Sequence, residues 1–116
     1  MTDERNPFPY DPEAHRANLI RHVQVLSSTP DSQARWLKEH DLPAEELWLE
    51  FNDYLSGLDV AEALGAITST ERRAVEDLYA YMDSAPIDYR KGAGVLVDPE
   101  WAQVRALACA ALREFS

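Results

Sequence analysis

Helical character is clearest near the C-terminal end of the chain, in residues 98–115, DPEWAQVRALACAALREF. Apolar residues recur here at steps of three and four, which is the period of an amphipathic α-helix. They are Trp101, Val104, Ala108, Ala111 and Phe115. Asp98-Pro99-Glu100 opens the stretch with a capping residue, a proline that lacks an N–H group, and an acid that suits the positive end of the helix dipole. Because Ala108 and Ala111 are small, we expect another helix to pack closely here.

Four other places carry similar helix starts. Asp11-Pro12-Glu13 repeats the same device, and Thr29-Pro30-Asp31 follows the same logic. Residues 42–46 supply a proline followed by two acids, and Thr68 with Glu71 three residues later forms a capping box. Five starts predict five short helices, and Asp59 to Ala66 is expected to add one or two helical turns, which makes six. The five lie at about residues 12–26, 30–40, 43–56, 69–83 and 99–115.

Each predicted helix carries an apolar stripe, so the helices have faces to bury against one another. The stripes are Leu19, Val23 and Leu26; Trp36 and Leu37; Leu47, Phe51, Tyr54 and Leu58; and Val75, Leu78 and Met82. Only Val95-Leu96-Val97 looks extended, and three residues do not make a sheet. We therefore predict an all-α fold, a compact bundle of five or six short helices in which the second is a lateral connection.

The domain boundaries follow from the same pattern. Residues 11–116 are predicted to form the single helical domain, after an N-terminal extension at residues 1–10. A length of 116 residues and a hydrophobic fraction of 46% suit one domain with a real core. Residues 84–97 are predicted to be one long loop, held in place by Ile87, Tyr89 and Val95 to Val97.

The composition points to the cytoplasm. The single cysteine, Cys109, allows no intramolecular disulfide, which fits a reducing compartment, and its place beside apolar helix positions predicts a small residue in or near the core. No apolar stretch approaches the roughly 20 residues that span a bilayer. Residues 1–10 lack the apolar segment of a signal peptide. We expect a cytoplasmic protein that does not contact membranes.

Negative charge is concentrated in the middle third of the chain. Between Lys38 and Arg72 there are nine acidic residues and no lysine or arginine, while the formal net charge of the whole chain is −10. The nine are Glu39, Asp41, Glu45, Glu46, Glu50, Asp53, Asp59, Glu62 and Glu71. This surface should repel nucleic acids and anionic membranes and attract basic partners. No basic stripe with interleaved aromatic residues occurs, so nucleic-acid binding is not expected.

One side of the third helix is the candidate binding site. Glu46, Glu50 and Asp53 share a helix face because they are spaced by four and three, with Leu49 among them and Trp48 at the margin of the apolar stripe. An acidic surface with an exposed leucine and a marginal tryptophan is typical of a recognition patch. The alternative is a solvated face that keeps the protein soluble. The absence of lysine favours recognition, because a helix built only for solubility would mix signs.

Catalytic and metal-binding motifs are missing from the chain. No glutamate is followed three residues later by histidine, and no calcium-loop, zinc-protease or nucleophile-elbow motif occurs. His15 and His22 are interpreted as partly exposed helix residues, and His40 as a residue near a helix C-terminus. An enzyme would need one of the first two to meet a carboxylate in a pocket. We therefore expect no catalytic residue, no metal and no cofactor.

Three segments carry a resemblance to known proteins. They are residues 16–22 continuing to Leu26-Ser27, then Gln33 with Trp36, and residues 98–108, DPEWAQVRALA. Together they resemble a group of small acidic helical proteins from actinobacteria without an assigned activity, and they are similar to the small immunity proteins that neutralise bacterial toxins. The resemblance covers about a third of the chain. It implies a helical fold and no catalytic residue, and it does not include the acidic third.

Two functions follow as hypotheses. The first is a non-catalytic protein-binding module, of the immunity or inhibitor type, that places its acidic helical face against a basic partner. The second is a self-associating structural or regulatory subunit, such as a homodimer, because the terminal helix holds more large apolar residues than a small core needs. Those residues are Trp101, Leu107, Leu112 and Phe115.

Overall fold

The structure is a computed structural model that describes residues 10–115, and every regular element in that range is helical. The elements are α1 (Pro12–Ser27), α2 (Pro30–Glu39), α3 (Glu46–Leu55), α4 (Leu58–Ala63), α5 (Ser69–Ser84), a 3₁₀ segment (Tyr89–Val97) and α6 (Pro99–Glu114). The predicted all-α class is confirmed, and the described residues form seven helical elements rather than five or six. Of the predicted N-terminal extension, residues 1–9 lie outside the described residues.

Side-chain caps begin α1 and α5 as predicted. The Asp11 carboxylate accepts hydrogen bonds from the backbone N–H groups of residues 13 and 14, each at 3.1 Å. Thr68 and Glu71 form both halves of the capping box. At α6 the prediction was wrong, because Asp98 makes no side-chain cap. Its carboxylate instead accepts a hydrogen bond from Lys91 Nζ at 2.8 Å, which fastens the 3₁₀ segment to the start of α6.

The core lies between α1, α3, α5 and α6, as the stripes predict. α6 packs against both α1 and α5, and α3 packs against α1 and α5. The largest apolar side chains in it are completely or almost completely buried: Leu19, Val23, Leu26, Leu47, Phe51, Val75, Leu78, Met82, Trp101 and Val104. Ala108 and Ala111 are also buried, which is what close approach of α1 and α5 to α6 requires. Cys109, one position along, is exposed, so its predicted place in or near the core was wrong.

A buried polar network joins α1, α2 and α6. The Trp101 indole donates its Nε1–H to Gln33 Oε1 at 2.9 Å. Gln33 Nε2 in turn donates to the backbone oxygens of Val25 at 3.1 Å and Leu26 at 3.0 Å. These carbonyls lie in the last turn of α1, where helical N–H donors run out, and the Val25 oxygen also accepts bonds from the N–H and the hydroxyl of Ser28. Gln33 therefore helps to satisfy the end of α1 and accepts from the indole of α6 at once.

A second polar network closes the other end of α1. Arg16 Nη1 donates to Glu71 Oε1 at 2.8 Å and to the Ala66 oxygen at 3.2 Å. Arg16 Nη2 donates to the Phe115 oxygen at 3.4 Å, and the guanidinium carbon lies 5.1 Å from the centre of the Phe115 ring. The α1 helix is thereby held to the start of α5 and the end of α6.

The predicted loop at residues 84–97 is partly helical. Val95, Leu96 and Val97 belong to the 3₁₀ segment, so their extended appearance in the sequence was misleading. Val95 and Leu96 are buried and pin the segment, whereas Val97 is 75% exposed and does not. Gly92 interrupts the segment with φ 84° and ψ −155°, a conformation open only to glycine, which allows two short turns to be joined.

Candidate functional site

The residues predicted to bind a partner all lie on α3. Asp53 is exposed, Glu46 and Glu50 are half-exposed, and Leu49 is 40% exposed among them. Within residues 10–115 none of the ion pairs includes Glu46, Glu50 or Asp53. We call the five residues Glu46, Trp48, Leu49, Glu50 and Asp53 the α3 face. A cluster of free carboxylates around an exposed leucine projects a negative potential that surface lysines do not cancel.

Trp48 is held rigidly at the edge of this face. Its ring stacks on Tyr79 with centroids 5.2 Å apart and on Tyr89 with centroids 5.3 Å apart. Tyr89 is itself fixed, because its hydroxyl donates to the Met82 oxygen at 2.8 Å and its ring meets the edge of Trp101. Burial, followed by the charge of Asp83, raises the pKa of Tyr89 far above its ordinary value. Trp48 thus connects α3 to α5 and the 3₁₀ segment.

A groove that the sequence did not reveal runs beside the α3 face. Its middle is a pocket of about 210 Å³ between α1, α2 and α3, which we call the central pocket. The residues that line it are Asn18, Arg21, His22, Val25, Trp36, His40, Glu50 and Tyr54. Glu50 belongs both to the α3 face and to this wall, so the two features are continuous. Burial and then the charge of Glu50 raise the pKa of Tyr54, as expected where that carboxylate faces the pocket.

Each end of the central pocket opens into a broader depression. Toward the N-terminus of α1 it shares Asn18 and Tyr54 with a depression of about 480 Å³, which Asp11 and Asp53 also line. Toward α2 it continues into one of about 490 Å³ that contains Arg35. The groove is therefore acidic where it meets the α3 face and more basic at its far end.

His22 forms the floor of the central pocket. It is 4% exposed, so the prediction that it is partly exposed was wrong. Its Nε2 lies 2.9 Å from the Leu47 oxygen, and because a carbonyl only accepts, Nε2 carries the proton. The ring packs against Trp36, Phe51 and Tyr54 with centroids 6.2, 6.1 and 5.4 Å away. This bond and these rings fix the imidazole in one tautomer and one orientation.

Burial lowers the pKa of His22, and the hydrogen bond to Leu47 only partly opposes it. The neutral imidazole is preferred in the folded protein, so the unfolded chain binds more protons just below its ordinary pKa of about 6.5. Stability should therefore fall as the pH drops through that value and level off below the folded-state pKa. In urea unfolding between pH 7.5 and pH 5, roughly the window around that pKa, we expect His22→Gln to show a flatter dependence than the wild type. Equal slopes in the two proteins would contradict a buried neutral His22.

His15 is partly exposed in α1, as predicted, and both of its ring nitrogens are engaged. Its Nδ1 lies 2.7 Å from the Tyr10 hydroxyl and its Nε2 lies 2.7 Å from the Tyr54 oxygen. The second contact is a donated hydrogen bond that ties α1 to the last turn of α3. His15 therefore has a positioning role at the acidic end of the groove, where Tyr10, Tyr54 and Asp53 meet.

The structure brings Glu50 and Asp53 to the groove and leaves Glu46, Trp48 and Leu49 outside its lining. Sequence reasoning did not predict that six residues of α1, α2 and α3 line one pocket. They are Asn18, Arg21, His22, Trp36, His40 and Tyr54. One signal was present: His22 lies three positions from Leu19 and four from Leu26, on the apolar stripe. The pairing of α1 with α2 and α3, which creates the pocket, has no signal in a single sequence.

Between residues 10 and 115 no group of three or more histidine, cysteine, aspartate or glutamate side chains is arranged to hold a metal ion. None of the helices in that range is both long and apolar enough to cross a membrane. Comparison with protein-family models, with curated proteins and with solved structures found no match for the chain.

Proposed function

We propose that the protein is a non-catalytic, cytoplasmic protein-binding module that docks the α3 face onto a basic surface of a partner, as an inhibitor or immunity protein does. The observation that carries the proposal is the set of carboxylates on α3. Glu46, Glu50 and Asp53 make no ion pair within the described part of the chain. Leu49 lies exposed among them. Other acids do find partners, as Glu62 and Glu76 do with Arg72.

The charges and the apolar residue have separate roles in this proposal. Unpaired carboxylates attract a basic partner over long distances and raise the association rate. Leu49, once covered, loses contact with water and slows dissociation. Val60 and Leu64, which are 46% and 59% exposed, add apolar surface within the same acidic third of the chain. A charged surface with interspersed apolar residues suits reversible recognition better than a purely solubilising surface does.

The self-association alternative has less support. Trp101 is completely buried, and Leu107, Leu112 and Phe115 are half-buried against the core. Most of the apolar surface on α6 that motivated a homodimer is therefore covered within the chain. Light scattering at several protein concentrations distinguishes the alternatives, because the proposed module needs no second copy of itself.

The salt dependence of binding tests the proposed function. We expect the immobilised protein to retain a basic protein from a lysate of its source organism at about 0.05 M salt and to release it near 0.5 M, where the screening length falls to roughly 4 Å. The triple variant Glu46→Gln, Glu50→Gln, Asp53→Asn should retain little of it, as measured by association rate on a biosensor once the partner is identified by mass spectrometry.

A matched variant controls for net charge. Asp77→Asn, Asp83→Asn, Glu114→Gln removes three exposed carboxylates from α5 and α6 and should bind like the wild type. Leu49→Ala should mainly raise the dissociation rate. If both triple variants lose the partner equally, or if binding ignores salt, the α3 face is not the docking site.

A further inference from the structure

We propose that the central pocket receives one arginine side chain of the basic partner, with its guanidinium group between Trp36 and Tyr54 and in hydrogen-bonding reach of Glu50. This inference rests on the proposed function and names the anchor that the partner supplies. It is carried by the acceptors that the pocket offers, by its aromatic walls and by its continuity with the α3 face.

The first step concerns hydrogen bonding. His22 Nε2 is committed as a donor to the Leu47 oxygen, so Nδ1 of the neutral ring is an acceptor. No buried side-chain nitrogen or oxygen among residues 10–115 lacks a hydrogen-bond partner. His22 Nδ1 makes no hydrogen bond within that range, so this atom is not fully buried, and His22 is one of the residues that line the pocket. A nearly buried residue thus presents an unused acceptor to whatever enters, and Glu50 on the same wall presents a carboxylate.

The second step concerns shape. Four aromatic residues, Trp36, His40, His22 and Tyr54, line the pocket, and the Trp36 and His40 rings pack on each other with centroids 4.5 Å apart, which holds the Trp36 wall in place. A planar guanidinium stacks on such rings and is attracted by their faces, and it carries five N–H donors for the two acceptors. The volume of about 210 Å³ is below the roughly 300–1,000 Å³ of pockets for whole ligands. It suits the end of one side chain.

The third step weighs Arg21, the one cation in the lining. Arg21 is exposed, and its Nη1 donates to Asn18 Oδ1 at 3.0 Å, so it is held at the rim by a neighbour on its own helix. Its charge opposes a second cation, while Glu50 and the neighbouring Asp53 favour one. Glu50 and His22 supply acceptors to the pocket, whereas the competing cation, Arg21, lies at its edge. A guanidinium is therefore favoured over an anion, because an anion would be repelled by the Glu50 carboxylate.

The test uses small probes and needs no partner. The folded protein is titrated with Nα-acetyl-arginine methylamide and, separately, with the citrulline analogue, which has the same shape without the charge. We expect the arginine probe to shift the NMR signals of the Trp36 indole and the His22 ring, with a dissociation constant on the order of 1–10 mM. The citrulline probe should bind at least about fivefold more weakly.

Three single variants sharpen the result. Glu50→Gln should weaken the arginine probe by about fivefold or more, and Arg21→Gln should tighten it by roughly two- to threefold. Asp77→Asn, which removes a carboxylate from the exposed side of α5, should leave it unchanged. The proposal is overturned if the Trp36 and His22 signals do not move, if citrulline binds as tightly as arginine, or if Glu50→Gln has no effect. Because no partner is present, such a failure leaves the salt and triple-variant results to decide the proposed function separately.

Discussion

Replacing Trp101 by alanine should lower the free energy of unfolding by roughly 5 kcal/mol, the largest loss expected for any single side chain here. Trp101 is completely buried in the first turn of α6, so its removal leaves a large cavity that rigid helices fill only in part. It also leaves the buried Gln33 Oε1 without the indole N–H that it accepts from. A domain of this size has a total stability of roughly 6–17 kcal/mol, so the variant should be close to unfolding at 37 °C.

Urea unfolding followed by circular dichroism measures this loss, and two variants separate its parts. Trp101→Phe keeps much of the packing while it removes the N–H and one ring of the indole, so it should cost about 1–3 kcal/mol, less than the change to alanine. Val97→Ala, at a site 75% exposed, should change stability by no more than about 0.5 kcal/mol. A Trp101→Ala loss below about 2 kcal/mol would show that the core does not depend on this indole.

Arg16→Ala should have the second-largest effect, a decrease of about 2–4 kcal/mol in the free energy of unfolding, because it leaves the buried Glu71 carboxylate without its ion-pair partner. The Glu71 side chain is only 8% exposed, and Arg16 is its ion-pair partner at 2.8 Å. The same substitution removes the donors to Ala66 and Phe115 that hold the two chain segments against α1.

The pH dependence of stability gives this variant a distinctive signature. Burial alone raises the pKa of Glu71, but the hydrogen bonds and charge of Arg16 and the capping bonds of Thr68 outweigh it, so the net pKa is lowered. A lowered carboxyl pKa contributes stability above the unfolded value, and this contribution is lost as the pH falls through the folded value. In Arg16→Ala, the decrease in the free energy of unfolding as the pH falls below about 4.5 should be smaller than in the wild type.

Arg72→Ala provides the matched control for this experiment. Arg72 also makes two carboxylate contacts, to Glu62 and Glu76, but all three side chains are a third or more exposed. Exposed pairs gain little because water screens them. Its loss should be clearly smaller than that of Arg16→Ala, and equal losses would contradict the anchoring role of Arg16.

Most of the fold could be predicted because capping residues and apolar spacing are local signals. The stripe through Leu47 and Phe51 placed the core side of α3 correctly, and therefore also its acidic side. Where a distant residue competes, local signals fail. Asp98 looks like a cap, yet Lys91 takes its carboxylate. Cys109 follows a buried alanine by one position, and a helix turns about 100° in that step, which carries the thiol to the surface.

The groove shows the limit of prediction from one chain more clearly. Glu50 can be predicted as a candidate site residue because charge patterning lies within one helix. Trp36 and Tyr54 meet across a pocket only because α2 and α3 pack on α1 in a particular register. That register is decided by packing of the whole core, and a single sequence contains no direct record of it.

The double stacking of Trp48 has a consequence for the speed of recognition. Since Tyr79 and Tyr89 already immobilise the ring, the Trp48 side chain would give up little conformational entropy in the proposed complex. Encounter would then be limited by diffusion and orientation, with no slow ordering step before the complex is formed.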